Sequence, residues 1–79
     1  MKRNERTYTD LPPEDLLAEG SEPALLVRSA QVEGTFRIPL YAGEDLPHAL
    51  ARARKSVPDA TEIELQVYHG GRFHYARLP

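Results

Sequence analysis

Thr61-Glu62-Ile63-Glu64-Leu65-Gln66-Val67-Tyr68-His69-Gly70-Gly71-Arg72-Phe73-His74-Tyr75-Ala76-Arg77-Leu78 alternates in hydropathy on both sides of a diglycine. Period-two alternation marks a strand with one buried face. Two glycines between such runs predict a two-residue hairpin loop, because both positions of a type I′ turn need φ > 0. A loop that short also sets the register. His69 pairs with Arg72, Tyr68 with Phe73, Val67 with His74, Gln66 with Tyr75, Leu65 with Ala76, Glu64 with Arg77 and Ile63 with Leu78. Side chains alternate across a strand, so the two faces follow. Ile63, Leu65, Val67, Ala76 and Leu78 share one face. Tyr68, Phe73, Tyr75, Gln66 and the Glu64–Arg77 pair share the other.

Upstream, Leu46, Ala49, Leu50, Ala53 and Val57 recur at helical spacing and form one apolar stripe. Asp45 is placed to cap that helix, Pro47 is tolerable in its first turn, and Pro58-Asp59 ends it. His48, Arg52 and Lys55 share its outward side, with Arg54 on a flank. Before it, Ala24 to Val32 and Thr35 to Tyr41 read as strands joined by a turn at Glu33-Gly34. Phe36, Ile38 and Leu40 are expected inward. Pro39 has no N–H to give a ladder, which assigns its strand to a sheet edge or a bulge. The first strand is then interior and pairs with the second hairpin. Leu11 to Gly20 reads as a short helix, with Pro13 at its first position, Glu14 and Asp15 at the positive end of its dipole, and Gly20 as its C′ residue. Ser21-Glu22-Pro23 reads as a connector. Residues 1–9 lack apolar periodicity and read as a flexible arm, leaving residues 10–79 as a single small α+β domain. The expected fold is a four-stranded, mostly antiparallel sheet from two β-hairpins in the order ββαββ. One main helix covers one face, and the short N-terminal helix precedes it.

Composition narrows the function classes. The chain has 79 residues, no cysteine and a formal net charge of −2. Without cysteine there is no disulfide framework and no thiolate zinc site. The longest apolar run, Ala24 to Val27, is far too short for a membrane span or a signal peptide, so a cytoplasmic protein without membrane attachment is expected. A chain of this size buries only ~60–65% of its unfolded surface, so one extra contact layer would matter to its stability. Charge is uneven. Residues 10–33 hold Asp10, Glu14, Asp15, Glu19, Glu22 and Glu33 against Arg28, whereas residues 34–58 hold Arg37, Arg52, Arg54 and Lys55 against Glu44 and Asp45. A net-acidic chain is a poor generic phosphate binder.

The aromatic sheet face is the surface that stands out. Its coverings, in order of expectation, are the N-terminal helix laying Leu11, Leu16 and Leu17 on it, a protein or a second copy of the chain, and stacked bases. The candidate partner-binding residues are Tyr68, Phe73, Tyr75 and Arg77, joined by Glu14, Asp15 and Glu19 of the acidic helix. An alternative is RNA or single-stranded DNA bound by Arg52, Arg54 and Lys55 or by the aromatic face. A further alternative is a structural homodimer sharing that face. His69 and His74 near the hairpin tip have no third ligand at metal-site spacing, so no metal and no cofactor are expected. No nucleophile elbow or phosphate-cradling loop is present, and a domain this small leaves little room for a pocket of a few hundred Å³, so catalysis is not expected.

In size, acidity and helix-plus-hairpins layout the chain resembles small accessory proteins of phages and mobile elements, including anti-CRISPR inhibitors. The resemblance is one of size and fold class. It implies a non-catalytic module that binds another protein or a nucleoprotein complex, as an inhibitor or accessory factor.

Overall fold

Gly70 and Gly71 both take positive φ, 64° and 86°, and every pair from His69↔Arg72 to Ile63↔Leu78 forms as the two-residue loop requires. The structure, a computed structural model, describes residues 8–78. The hairpin's strands are β3 (Ala60–His69) and β4 (Arg72–Leu78). Ahead of them run α1 (Pro13–Glu19), β1 (Ser21–Ser29), β2 (Thr35–Pro39) and α2 (Leu46–Ser56). The strands form one antiparallel sheet in the order β2-β1-β3-β4. The Pro39 strand is therefore at an edge and β1 is interior, joining the two hairpins.

The core lies on one face of this sheet. Leu25 and Val27 of β1 meet Leu65 and Ile63 of β3, and all four pack under Leu46, Ala49, Ala53 and Val57 of α2. Asp45 accepts the His48 N–H at 3.0 Å and caps the helix as its sequence position suggests.

Three boundaries differ from expectation. Ser21-Glu22-Pro23 is strand, not connector: Ser21 pairs with Tyr68, and a bulge precedes Ala24↔Gln66. Glu22, with φ 53°, takes up the extra residue. At its other end β1 stops at Ser29, three residues before Val32, and a loop over residues 30–34 replaces the tight turn expected at Glu33-Gly34. The cause is a side-chain clasp. Ser29 Oγ donates to Asp59 Oδ2 at 2.6 Å and accepts the Gln31 N–H at 3.0 Å, which turns the chain out of the ladder. β2 ends at Pro39 rather than Tyr41, although the Leu40 N–H still reaches the Pro23 carbonyl at 3.0 Å.

The larger correction concerns α1. It does not cover the aromatic face. Leu16 is 1% exposed and belongs to the same core cluster as Leu65, Val67 and Ala76, so α1 lies beside α2 on the aliphatic face. Gly20 does follow the last helical residue, as expected, but its φ is −111° and its backbone is extended rather than left-handed. The glycine serves contact instead. A Cβ there would stand 1.9 Å from Val67 Cγ1 and 2.8 Å from the Tyr68 carbonyl oxygen. Of the arm expected over residues 1–9, residues 1–7 lie outside the described residues. Tyr8 forms a parallel bridge with Tyr75, and the Thr9 N–H donates to the Tyr75 carbonyl at 3.2 Å.

Candidate protein-binding surface

With both helices on the aliphatic side, the opposite face of the sheet carries no helix among the described residues. Its aromatics are arranged by the β3–β4 register. Tyr68 and Phe73 face each other across the hairpin with ring centroids 5.1 Å apart and planes at 71°, an edge-to-face pair. Each is 37% exposed. Tyr75, the next ring along β4, is half-buried and held more firmly. Its hydroxyl accepts from Gln66 Nε2 at 3.1 Å, and Gln66 Oε1 in turn accepts from Arg37 Nε at 3.1 Å. Arg37, Gln66 and Tyr75 thus form a polar chain from one edge of the sheet to the other.

Tyr8 adds a fourth ring that sequence reasoning assigned to the arm. Its ring lies 6.1 Å from that of Tyr75, and its hydroxyl donates to the Glu64 carboxylate. Arg77 sits over the same assembly, its guanidinium 4.9 Å from the Tyr8 ring and its Nε 3.6 Å from Glu64 Oε2. Glu64 is only 4% exposed, so the cross-strand Glu64–Arg77 pair is a partly covered ion pair with an aromatic lid. The available signal was small: Tyr8 is a single aromatic residue in an otherwise polar stretch.

The other predicted site residues fall elsewhere. Glu14, Asp15 and Glu19 are exposed on α1, on the other side of the sheet from the aromatic face. Glu19 Oε1 lies 3.9 Å from His69 Nε2 at the hairpin tip. The His69 and His74 rings are 5.8 Å apart, and among the described residues no three of His, Cys, Asp and Glu converge as metal ligands. On α2 the expected basic side is broken. Arg52 turns inward, its Nη2 2.7 Å from Glu44 Oε1 and 2.9 Å from the Pro39 carbonyl, with its guanidinium 3.9 Å from the centre of the Tyr41 ring. Arg54 and Lys55 remain exposed in the last turn.

One feature contradicts the size argument against pockets. An open apolar groove of about 620 Å³ lies between the 30–34 loop, β2 and the end of α2. Val32, Phe36, Ile38, Val57 and Pro58 line it. Phe36, expected inward, is on the core side of β2 but 42% exposed, and Val32 is 52% exposed. The groove lies beside the loop that follows the end of β1 at Ser29.

Among the described residues no helix is long and apolar enough to cross a membrane. Compared with known proteins, the chain matches no family model, no curated protein and no solved structure.

Proposed function

We propose that this chain is a non-catalytic protein-binding module that engages its partner through the helix-free face of its sheet. One observation carries the reading: both helices pack on the aliphatic face, leaving the Tyr68–Phe73 pair at 37% exposure on the other. Rigid aromatic side chains on a fixed strand register are typical interface anchors, since little conformational freedom is lost when they are covered. Tyr75, Tyr8 and Arg77 form a braced rim beside them. Exposed Glu14 and Asp15 form a separate negative surface on the other side of the sheet, suited to a basic region of the same partner, such as a nucleoprotein complex, only where that partner wraps around the sheet edge. An inhibitory or accessory role is the form of the reading that suits so small a domain.

The test is capture from a lysate of the native host with the immobilised chain, run beside a Tyr68→Ala, Phe73→Ala double variant. The wild-type chain is expected to retain a protein that the double variant loses while its circular dichroism is unchanged. Equal capture by both would remove the aromatic face from the reading. Capture that disappears on nuclease treatment would move it to nucleic acid.

A further inference from the structure

The two outer edges of the sheet are not equivalent. At β4 the Thr9 N–H and the Tyr8 bridge already engage Tyr75. At β2 no described strand pairs with the outer side. The polarity of that edge follows from two bonds. The Leu40 N–H donates to Pro23 on β1, so Leu40, Ile38 and Phe36 direct their backbone groups inward to β1. Thr35, Arg37 and Pro39 then direct theirs outward, and the Pro39 carbonyl does meet Arg52 Nη2 on that side at 2.9 Å. Pro39 has no N–H and its carbonyl is occupied. What remains is the N–H and C=O of Thr35 and of Arg37, two residues apart around Phe36.

That set is self-complementary under a two-fold axis. We propose that β2 pairs antiparallel with β2 of a second copy of this chain, with the axis at Phe36. Thr35 of each copy forms a hydrogen-bonded pair with Arg37 of the other. Competing registers are poorer. Placing Arg37 opposite Arg37 brings Thr35 against Pro39, which has nothing left to offer. Placing Thr35 opposite Thr35 brings Arg37 against Glu33, which is outside the strand. Side chains agree with the chosen register. Phe36 meets Phe36 of the second copy as a non-hydrogen-bonded pair, the closer type, with Cα atoms about 4.5 Å apart. The two half-exposed rings then close the mouths of the two apolar grooves beside Val32.

Charge does not guard this edge as it commonly does. Arg37 is turned back over its own sheet by its bond to Gln66, away from the axis. The contact is short compared with the ~1,200–2,000 Å² of a standard interface, so association is concentration-dependent. Its consequence is one continuous sheet with both aromatic faces on the same side, a bivalent surface. The pairing does not depend on the binding role proposed for Tyr68 and Phe73.

The chain has no cysteine, which makes the test direct. A Phe36→Cys variant places two thiols at a spacing that a disulfide spans. Under mild oxidation it is expected to cross-link into a dimer well ahead of a Tyr68→Cys control. Sedimentation equilibrium of the unmodified chain is expected to show the mass rising towards two chains with concentration, and a Phe36→Asp variant to stay at one. A single-chain mass for the unmodified protein at its highest soluble concentration would overturn the proposal. So would faster cross-linking of the Tyr68→Cys control, which would place any self-contact on the aromatic face. Neither readout requires the partner of the aromatic face, so the two readings fail separately.

Discussion

The guanidinium of Arg52 grips the carboxylate of Glu44 with two bonds, Nη2 to Oε1 at 2.7 Å and Nε to Oε2 at 2.9 Å. Glu44 precedes α2, and Arg52 lies on its second turn and also holds the Pro39 carbonyl. The pair therefore ties the end of β2, the following loop and the helix into one unit. It holds the Glu44 carboxyl down from 4.5 to about 2, through the Arg52 hydrogen bond first, with the Tyr41 N–H and His48 adding to it and burial opposing. A carboxyl whose folded pKa is depressed contributes stability above its ordinary pKa and loses it as pH falls through the folded value. Glu44→Gln is expected to be less stable at neutral pH and to show a flatter stability curve between pH 4.5 and about 2. Urea melts at stepped pH give the difference curve, in which the other carboxylates cancel. Parallel curves would mean that the Glu44–Arg52 pair adds nothing.

Gly20 is the most closely packed of the glycines, because a Cβ would meet Val67 Cγ1 at 1.9 Å and the Tyr68 carbonyl at 2.8 Å, whereas nothing lies within 4 Å of a Cβ at the others. Its φ of −111° is open to any residue, so backbone freedom is not the reason for the glycine. Gly20→Ala is expected to destabilise the fold by about 1–3 kcal/mol or more through overpacking. Val67→Ala in the same chain removes the nearer clash and leaves the backbone one, so partial rescue is expected. Denaturant midpoints of the two single variants and the double variant check this, and simple additivity would show that Gly20 and Val67 do not press on each other.

The same contact explains which parts of the fold the sequence could reveal. The β3–β4 register was legible because a two-residue loop allows one answer. The α2 stripe was legible because its buried residues are its apolar ones. The side of the sheet taken by α1 was not, since Leu16 and Leu17 suit either apolar face. A single residue separates α1 from β1, and the extended Gly20 is pressed against Val67, whose side chain lies on the aliphatic face. That contact commits α1 to the aliphatic side, and it joins residues 47 positions apart in sequence. The end of β1 was hidden for the same reason, because Ser29 is turned by Asp59, which is 30 residues downstream. Of the candidate site, the aromatic face was legible from the register alone. The bracing by Tyr8 and Arg37 was not, because it depends on where the chain passes the β4 edge and on β2 lying two strands from Gln66.

The position of α1 makes a separable prediction. Leu16 is 1% exposed and packs in the main core, so Leu16→Ala is expected to cost about 2–5 kcal/mol. Two turns of helix have little stability of their own. The loss should therefore appear first as faster hydrogen exchange at the Leu16 and Gly20 amides, which bond to the Pro12 and Leu16 carbonyls. Tyr68→Ala is expected to leave those amides protected. Deprotection of α1 by Tyr68→Ala would return the helix to the aromatic face.

Tyr8 is bound to the sheet by its hydroxyl as well as its ring, and the two contributions can be measured apart. Tyr8→Phe keeps the ring beside Tyr75 and Arg77 but removes the donor to Glu64, which is 4% exposed. A hydrogen bond to a charged group is worth about 1.5–3 kcal/mol, and covering the acceptor raises the cost of losing its donor. Tyr8→Phe is therefore expected to lower stability by an amount near the bottom of that range, since Arg77 remains 3.6 Å from the carboxylate. In a Glu64→Gln background the same substitution should cost less, because the acceptor no longer carries charge. Chemical denaturation of the two single variants and the double variant measures the coupling. A cycle that closes with no interaction term would reduce Tyr8 to a surface ring resting on Tyr75, and the brace beneath the aromatic face would then be the Arg37–Gln66–Tyr75 chain alone.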